Sequence, residues 1–261
     1  MMENSTTSNQ RHSKPGVVVV SLTAATVITS SIMAVGFGLA ILLAVLFNFK
    51  ATTATHCKVV NYLPSISAAI AKPPSSYVWR FVITITAVQR FAAVRFHYLQ
   101  YSKVASKRSM YPVLCRLCFL CELIEILALV GLTCISSNEN TSMHENLFVT
   151  FQVCSMVFML LMCIVYSWAS GRLPGSSSKT LWERRSLQLK ILTFLINLSC
   201  FLIAVYFYFR HNAYCEPGVY SLFAFFEYLV VLSNIGFHAT VTYDFGDKLI
   251  MFGAAVEHEK Q

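Results

Sequence analysis

The chain has 261 residues, of which 56% are hydrophobic and 12% charged, with a mean hydropathy of +0.60 and a formal net charge of +8. Soluble domains carry roughly 25% charged residues, and a soluble globule of this length could not place so much apolar surface inside. Twenty Phe, 12 Tyr and 3 Trp exclude disorder, and the low Gly count with no visible period excludes collagen-like and repeat architectures.

What remains is a polytopic membrane protein. Backbone amides in hydrocarbon must be satisfied within each segment, and no alternating barrel pattern is present, so the fold class is all-α. In chain order, residues 1–16 read as a disordered cytosolic N-terminus. Six stretches then reach the ~20 residues a bilayer core requires: 17–49, whose inner part near 26–47 would span, 78–101, 113–135, 146–168, 189–209 and 219–241. The first contains no charged residue and exceeds the ~7–15-residue core of a signal peptide, so it reads as a retained helix. Together these predict one six-helix transmembrane domain over 17–245, followed by a cytosolic tail at 246–261. Residues 171–179, rich in Gly and Ser, read as a flexible linker.

Loop charge sets the orientation. With the N-terminus in the cytosol, twelve Lys and Arg fall on that side, Lys190 at the head of the fifth stretch among them, against Lys50, Lys58, Lys72 and Arg210 on the other. Both termini are therefore expected in the cytosol. The positive charge is a topology signal, and no basic domain suited to nucleic acid exists. The sequon Asn140-Thr141-Ser142 falls in a loop assigned to the lumen. Cys57 and Cys215 are the two loop cysteines, both lumenal, where a disulfide would persist.

Ionisable groups inside a bilayer cost ~2.5–3.5 kcal/mol or more and need a partner, a cavity or a function. The second span carries Arg90 near its middle, and the third carries Glu122 and Glu125 three residues apart, on one helix face. Arg90 is expected to pair with one of these acids, either as a structural tie or as the wall of a polar cavity. Glu227, Asn234 and His238 form a stripe on the sixth span that should look into the bundle.

Chemistry-bearing residues concentrate at the lumenal ends. His56-Cys57, Asn61-Tyr62 and Ser65-Ile66-Ser67 crowd the first loop; His144-Glu145-Asn146 opens the fourth span; Arg210-His211-Asn212 with Glu216 follows the fifth. A His beside a carboxylate, amide or hydroxyl is the usual general base for acyl transfer. His144, His211 and Glu145 are accordingly the catalytic candidates. Arg80, Arg210, Asn212, Asn61, Ser65 and Glu216 are the candidates for holding a polar headgroup, Arg being suited to phosphate. No Gly-x-Ser-x-Gly elbow, phosphate loop or His-Glu-x-x-His motif occurs, and His238 with Asp244 misses the His-x-x-x-x-Asp spacing of glycerolipid acyltransferases. Cys115, Cys118 and Cys121 lack a nearby fourth ligand for zinc, so neither metal nor other cofactor is expected.

The lumenal segments also carry a family resemblance. His56-Cys57-x-Val59, Asn61 through Ile70, Tyr77-Val78-Trp79-Arg80-Phe81, Leu114-Cys115-Arg116-Leu117, His144-Glu145-Asn146, Phe209-Arg210-His211-Asn212, Tyr214-Cys215-Glu216, Phe226-Glu227-Tyr228 and Asp244-Phe245-Gly246 stand in order over roughly residues 56–246. In this series the chain resembles the Frag/DRAM/Sfk membrane family, in the branch that acts on GPI-anchored proteins. The resemblance implies a six-helix bundle in the Golgi membrane, or also the endoplasmic reticulum. It further implies a role in restoring a saturated acyl chain at the sn-2 position of lyso-GPI. GPI-anchored proteins and membrane lipids would be its partners, and the acyl donor is either acyl-CoA or a phospholipid. Two other readings stay open at this stage: a non-enzymatic subunit that presents lyso-GPI to a separate acyltransferase, and a DRAM-like membrane regulator. Glu125 matches the family's intramembrane acid, whereas Glu122 and the turn Lys72-Pro73-Pro74-Ser75 depart from the pattern.

Overall fold

A computed structural model describes residues 18–106, 108–170, 181–245 and 249–252. The expected disordered N-terminus, the 171–179 linker and most of the 246–261 tail lie outside the described residues.

Six long helices form the body: α1 (Leu22–Thr52), α3 (Ser75–Ser102), α4 (Tyr111–Cys134), α5 (Thr141–Ala169), α6 (Leu181–Tyr214) and α7 (Val219–Ala239). The one-turn helix α2 (Ile66–Ala69) lies between α1 and α3, and α8 (Val241–Phe245) follows α7. Each long helix packs on the next in the chain, and α7 returns to α1, so the six close into a ring. One short antiparallel ladder joins the chain ends, β1 (Val18–Ser21) against β2 (Leu249–Phe252). This is an addition to the all-helical expectation.

The shortest long helix, α7, has 21 residues and rises ~32 Å, enough for the ~30 Å hydrocarbon core. Among the described residues, four helical segments are both long and apolar enough to cross a membrane: α1, α5, α6 and α7 continued to Asp244. α3 and α4 are long enough but each carries three charged residues, Arg80, Arg90 and Arg95 in one and Arg116, Glu122 and Glu125 in the other. Val35, Phe47, Phe81, Val88 and Phe209 on the outside of the ring are each 66–72% exposed. An apolar exterior of that extent marks a lipid-facing surface, and the chain is a multi-pass membrane protein.

Two apolar layers fill the ring. Ile66 of α2 packs with Phe37, Trp79, Ile83, Phe151 and Ile235. Tyr101, Tyr111, Phe158, Met159, Tyr166 and Phe237 pack toward the ladder end, where Cys115, Cys118 and Cys121 point inward as core residues. The end carrying α2 and the α4–α5 and α6–α7 turns is called the disulfide end below.

Three of the described helix starts follow from side-chain caps. Ser21 accepts from the Ala24 amide, Ser65 from Ala68 and Asn140 from Met143, each satisfying a donor that a helix start leaves open. Asn140 of the sequon is thus engaged as the N-cap of α5. Gly218 before α7 holds φ +78°, and its amide donates to Val60 O at 2.9 Å. That left-handed geometry is one glycine adopts at no steric cost. The fifth expected span begins earlier than its apolar run: α6 starts at Leu181, so Lys190, counted among the loop charges, lies inside the bundle. The cause is Asp244, whose carboxylate oxygens sit 2.8 and 2.9 Å from the Lys190 amine.

Candidate functional site

At the disulfide end the polar residues gather around two histidines. The first cluster centres on His144, in the second turn of α5 and only 3% exposed. Its Nδ1 lies 2.7 Å from Ile135 O and its Nε2 2.9 Å from Ser67 Oγ. A carbonyl oxygen can only accept, so Nδ1 carries the hydrogen; the lone pair on Nε2 then accepts from the Ser67 hydroxyl. A backbone carbonyl therefore fixes the imidazole as the tautomer whose basic nitrogen faces an alcohol.

Ser67 is held there by its own segment. Ser65 is spent as the cap of α2, and the Ile66 amide donates to Glu227 Oε2 at 2.8 Å. Tyr228 OH donates to Pro64 O, and Ser221 Oγ accepts from the Tyr62 amide at 2.7 Å. Asn61 Nδ2 donates to Thr53 O and Val59 O, folding the preceding loop. Asn61 and Ser65, expected to hold a headgroup, are thus both buried and engaged by backbone.

Beside this cluster, Arg80 Nη2 lies 3.3 Å from Glu139 Oε2. Glu139 also accepts from the Ser136 amide and hydroxyl at 2.7 and 2.8 Å. These two donors, with Arg80 behind them, hold the Glu139 carboxyl below its usual value. Both side chains of the ion pair are about half exposed, and such a pair is worth only ~0–1 kcal/mol. An anionic headgroup could therefore displace Glu139 from Arg80 at small cost. Glu145 is exposed and makes none of the hydrogen bonds of the His144 cluster.

The second cluster surrounds His211, which is fully buried. Its Nε2 is 3.1 Å from Thr55 Oγ1, and the rings of His56 and Tyr220 flank it. A disulfide joins Cys57 and Cys215, with Cα atoms 5.3 Å apart. Arg210 grips Glu216 with two hydrogen bonds of 2.6 and 3.0 Å, which depress the Glu216 carboxyl, and Asn212 is exposed. Ligand atoms of His56, Cys57 and His211 lie within 4.8 Å of one another. Because that sulfur is committed to Cys215, two imidazoles remain, short of the four donors of a structural zinc site.

The bundle interior holds a third network. Arg90 Nη2 donates to Glu125 Oε1 at 2.9 Å, and Asn234 Nδ2 reaches the same oxygen at 3.1 Å and Ser155 Oγ at 2.6 Å. His238 Nε2 sits between Arg90 Nη2 (2.5 Å) and Glu125 Oε1 (3.1 Å). Glu122 turns away to His97 Nδ1 at 2.9 Å. The two acids of one helix face therefore have different partners, and Glu227 of the α7 stripe serves α2 instead of this network. The cavity lined by Arg90, Glu122, Asn234 and His238 measures about 30 Å³, room for a water or two and no substrate. An apolar groove of about 740 Å³ opens to the lipid side between α1 and α3, lined by Val35, Leu39, Tyr77 and Phe81 among others.

Sequence reasoning had named Ser67 only as part of its segment, and had chosen Ser65. The signal that separates them is capping: in Ser65-Ile66-Ser67-Ala68 the first serine serves the helix start, which leaves the second free for other work. The buried Lys190–Asp244 pair, with Ser186 and Thr240 at 2.8 Å from the amine, had no such local signal, because its members lie 54 residues apart.

Residues 15–248 match the family model described as Frag1/DRAM/Sfk1/Cwh43P N-terminal domain. The chain is 42% identical over 226 residues to "Acyltransferase PGAP2" of Xenopus tropicalis, covering 85% of this chain and 87% of that protein. It is 40% identical to "Post-GPI attachment to proteins factor 2" of Caenorhabditis elegans, over 81% and 80% of the two chains. Identity is 37% to the protein of the same name in Drosophila melanogaster, over 80% of each. No solved structure matches the chain.

Proposed function

Because the chain belongs to the Frag1/DRAM/Sfk1/Cwh43P N-terminal-domain family, we propose that it remodels the lipid of GPI-anchored proteins, as an acyltransferase that restores a saturated chain at sn-2 of lyso-GPI. In this reading all six long helices span the Golgi membrane, both termini are cytosolic, and the disulfide end faces the lumen. The names of its relatives, with the 87% coverage of the Xenopus protein, support the step. The observation that carries the chemistry is His144, whose Nδ1 is held by a carbonyl while Nε2 faces a hydroxyl at 2.9 Å. A base so oriented removes a proton from an alcohol as its oxygen attacks an acyl carbon.

Arg80 beside it holds the phosphate of the inositol lipid by exchanging Glu139 for phosphate oxygens. The groove between α1 and α3 takes an acyl chain from the lipid side. The benefit to the substrate is anchoring: each buried methylene is worth ~0.8 kcal/mol, and a single chain holds a protein only marginally. The interior network ties the helices and takes no part in transfer. Mass spectrometry of GPI lipids from cells lacking this protein tests the reading. Accumulated lyso-GPI with loss of GPI-anchored proteins from the surface is expected; an unchanged lipid profile would refute it.

A further inference from the structure

The Ser67 hydroxyl occupies the place where an acceptor alcohol would meet the base. It is partly exposed, lies 2.9 Å from His144 Nε2, and is relieved of capping by Ser65. An alcohol whose proton already points at an oriented imidazole is the arrangement of an activated nucleophile. Resting on the acyl-transfer reading above, we infer that Ser67 is a covalent acyl carrier, loaded from a saturated phospholipid of the same leaflet.

The chemistry closes without a cofactor. Ser67 Oγ attacks the ester carbonyl of the phospholipid, and its proton passes to His144 Nε2. The bond from the acyl carbon to the glycerol oxygen breaks, and that oxygen takes the proton as lysophospholipid leaves. The sn-2 hydroxyl of lyso-GPI then gives its proton to Nε2 and attacks the Ser67 ester, and Ser67 Oγ departs with the proton returned. Throughout, Nδ1 keeps its hydrogen and donates it to Ile135 O, which steadies the transient imidazolium.

The geometry also selects the donor. Ser67, His144 and the Arg80–Glu139 pair share the end of the bundle that carries the Cys57–Cys215 disulfide. A bond of that kind persists on the lumenal side, whereas acyl-CoA is cytosolic. A donor in the lumenal leaflet reaches Ser67 without crossing the bilayer.

The test uses the full chain in liposomes of phosphatidylcholine with deuterated saturated chains, first without and then with lyso-GPI. Acid quench, proteolysis and mass spectrometry should find a deuterated acyl group on Ser67, and lyso-GPI added afterwards should remove it. Ser67→Ala, matched to wild type in thermal midpoint, should lose turnover by ~100-fold or more. Ser67→Cys should carry the acyl group as a hydroxylamine-sensitive thioester. Ser67→Ala that keeps wild-type turnover, or transfer from acyl-CoA with residue 67 unlabelled, overturns the covalent carrier while leaving the acyltransferase reading intact. Wild-type protein that acylates lyso-GPI from neither donor overturns both.

Discussion

Arg90 is the residue whose removal should be felt most. Its guanidinium serves Glu125 at 2.9 Å and His238 at 2.5 Å, and Glu125 is wholly buried. Arg90→Leu takes the guanidinium from that carboxylate and leaves it only Asn234 and His238, a change of the kind that costs ~3–5 kcal/mol. Thermal unfolding in detergent should show a large drop in midpoint, and Glu125→Leu in the same background should recover part of it. At the surface, Glu139 is held below its ordinary pKa by Ser136 and Arg80. A depressed acid stabilises the fold above its unfolded pKa of ~4.3, and that gain disappears as pH falls through the lower folded value. The midpoint difference between wild type and Glu139→Gln should therefore be largest near neutral pH and close progressively in acid. Arg90 and its two possible acids were legible in the sequence, because isolated charge in an apolar run demands a partner. The choice of Glu125 over Glu122 was not, since both share a helix face and only the position of His97 decides between them.

At the scale of elements, α2 is the piece on which the site depends. Four residues cannot hold a helix alone, and this turn is kept by the Ser65 cap, Glu227 on the Ile66 amide and Tyr228 on Pro64 O. Ser65→Ala should cost ~1 kcal/mol, and it should slow lyso-GPI turnover by displacing Ser67 from His144. The readout that separates this from general instability is turnover measured well below the unfolding midpoint. The long helices were readable from hydropathy, and all six expected spans fall on them to within a few residues except α6. Its first turns, with Glu183, Arg184 and Arg185, look like a loop by charge but continue the helix toward Lys190. Beyond the Ser65 cap, α2 left no pattern of its own, because its remaining support comes from α7 across 161 residues of sequence.

For the whole molecule, the ring of six helices places the two polar clusters at one end and the β1–β2 ladder at the other. The orientation drawn from loop charge predicts that a cysteine replacing Lys103 reacts with membrane-impermeant maleimide in sealed Golgi vesicles, whereas one replacing Met143 reacts only after permeabilisation. The reverse pattern would invert the topology and with it the lumenal assignment of His144. The sequence places His144 and His211 at the same end of the bundle. His144 lies near the start of α5 and His211 near the end of α6, and periodicity says nothing about which loop segments pack against them.

The most direct measurement is lyso-GPI acylation by the full chain in liposomes that supply saturated phospholipid. Wild type should convert lyso-GPI to the two-chain form. His144→Ala, verified as folded, should be slower by ~100-fold or more, with exogenous imidazole restoring part of the rate, and His211→Ala should keep most of it. A folded His144→Ala protein that turns over as fast as wild type, or wild type that does not turn over at all, would contradict the account.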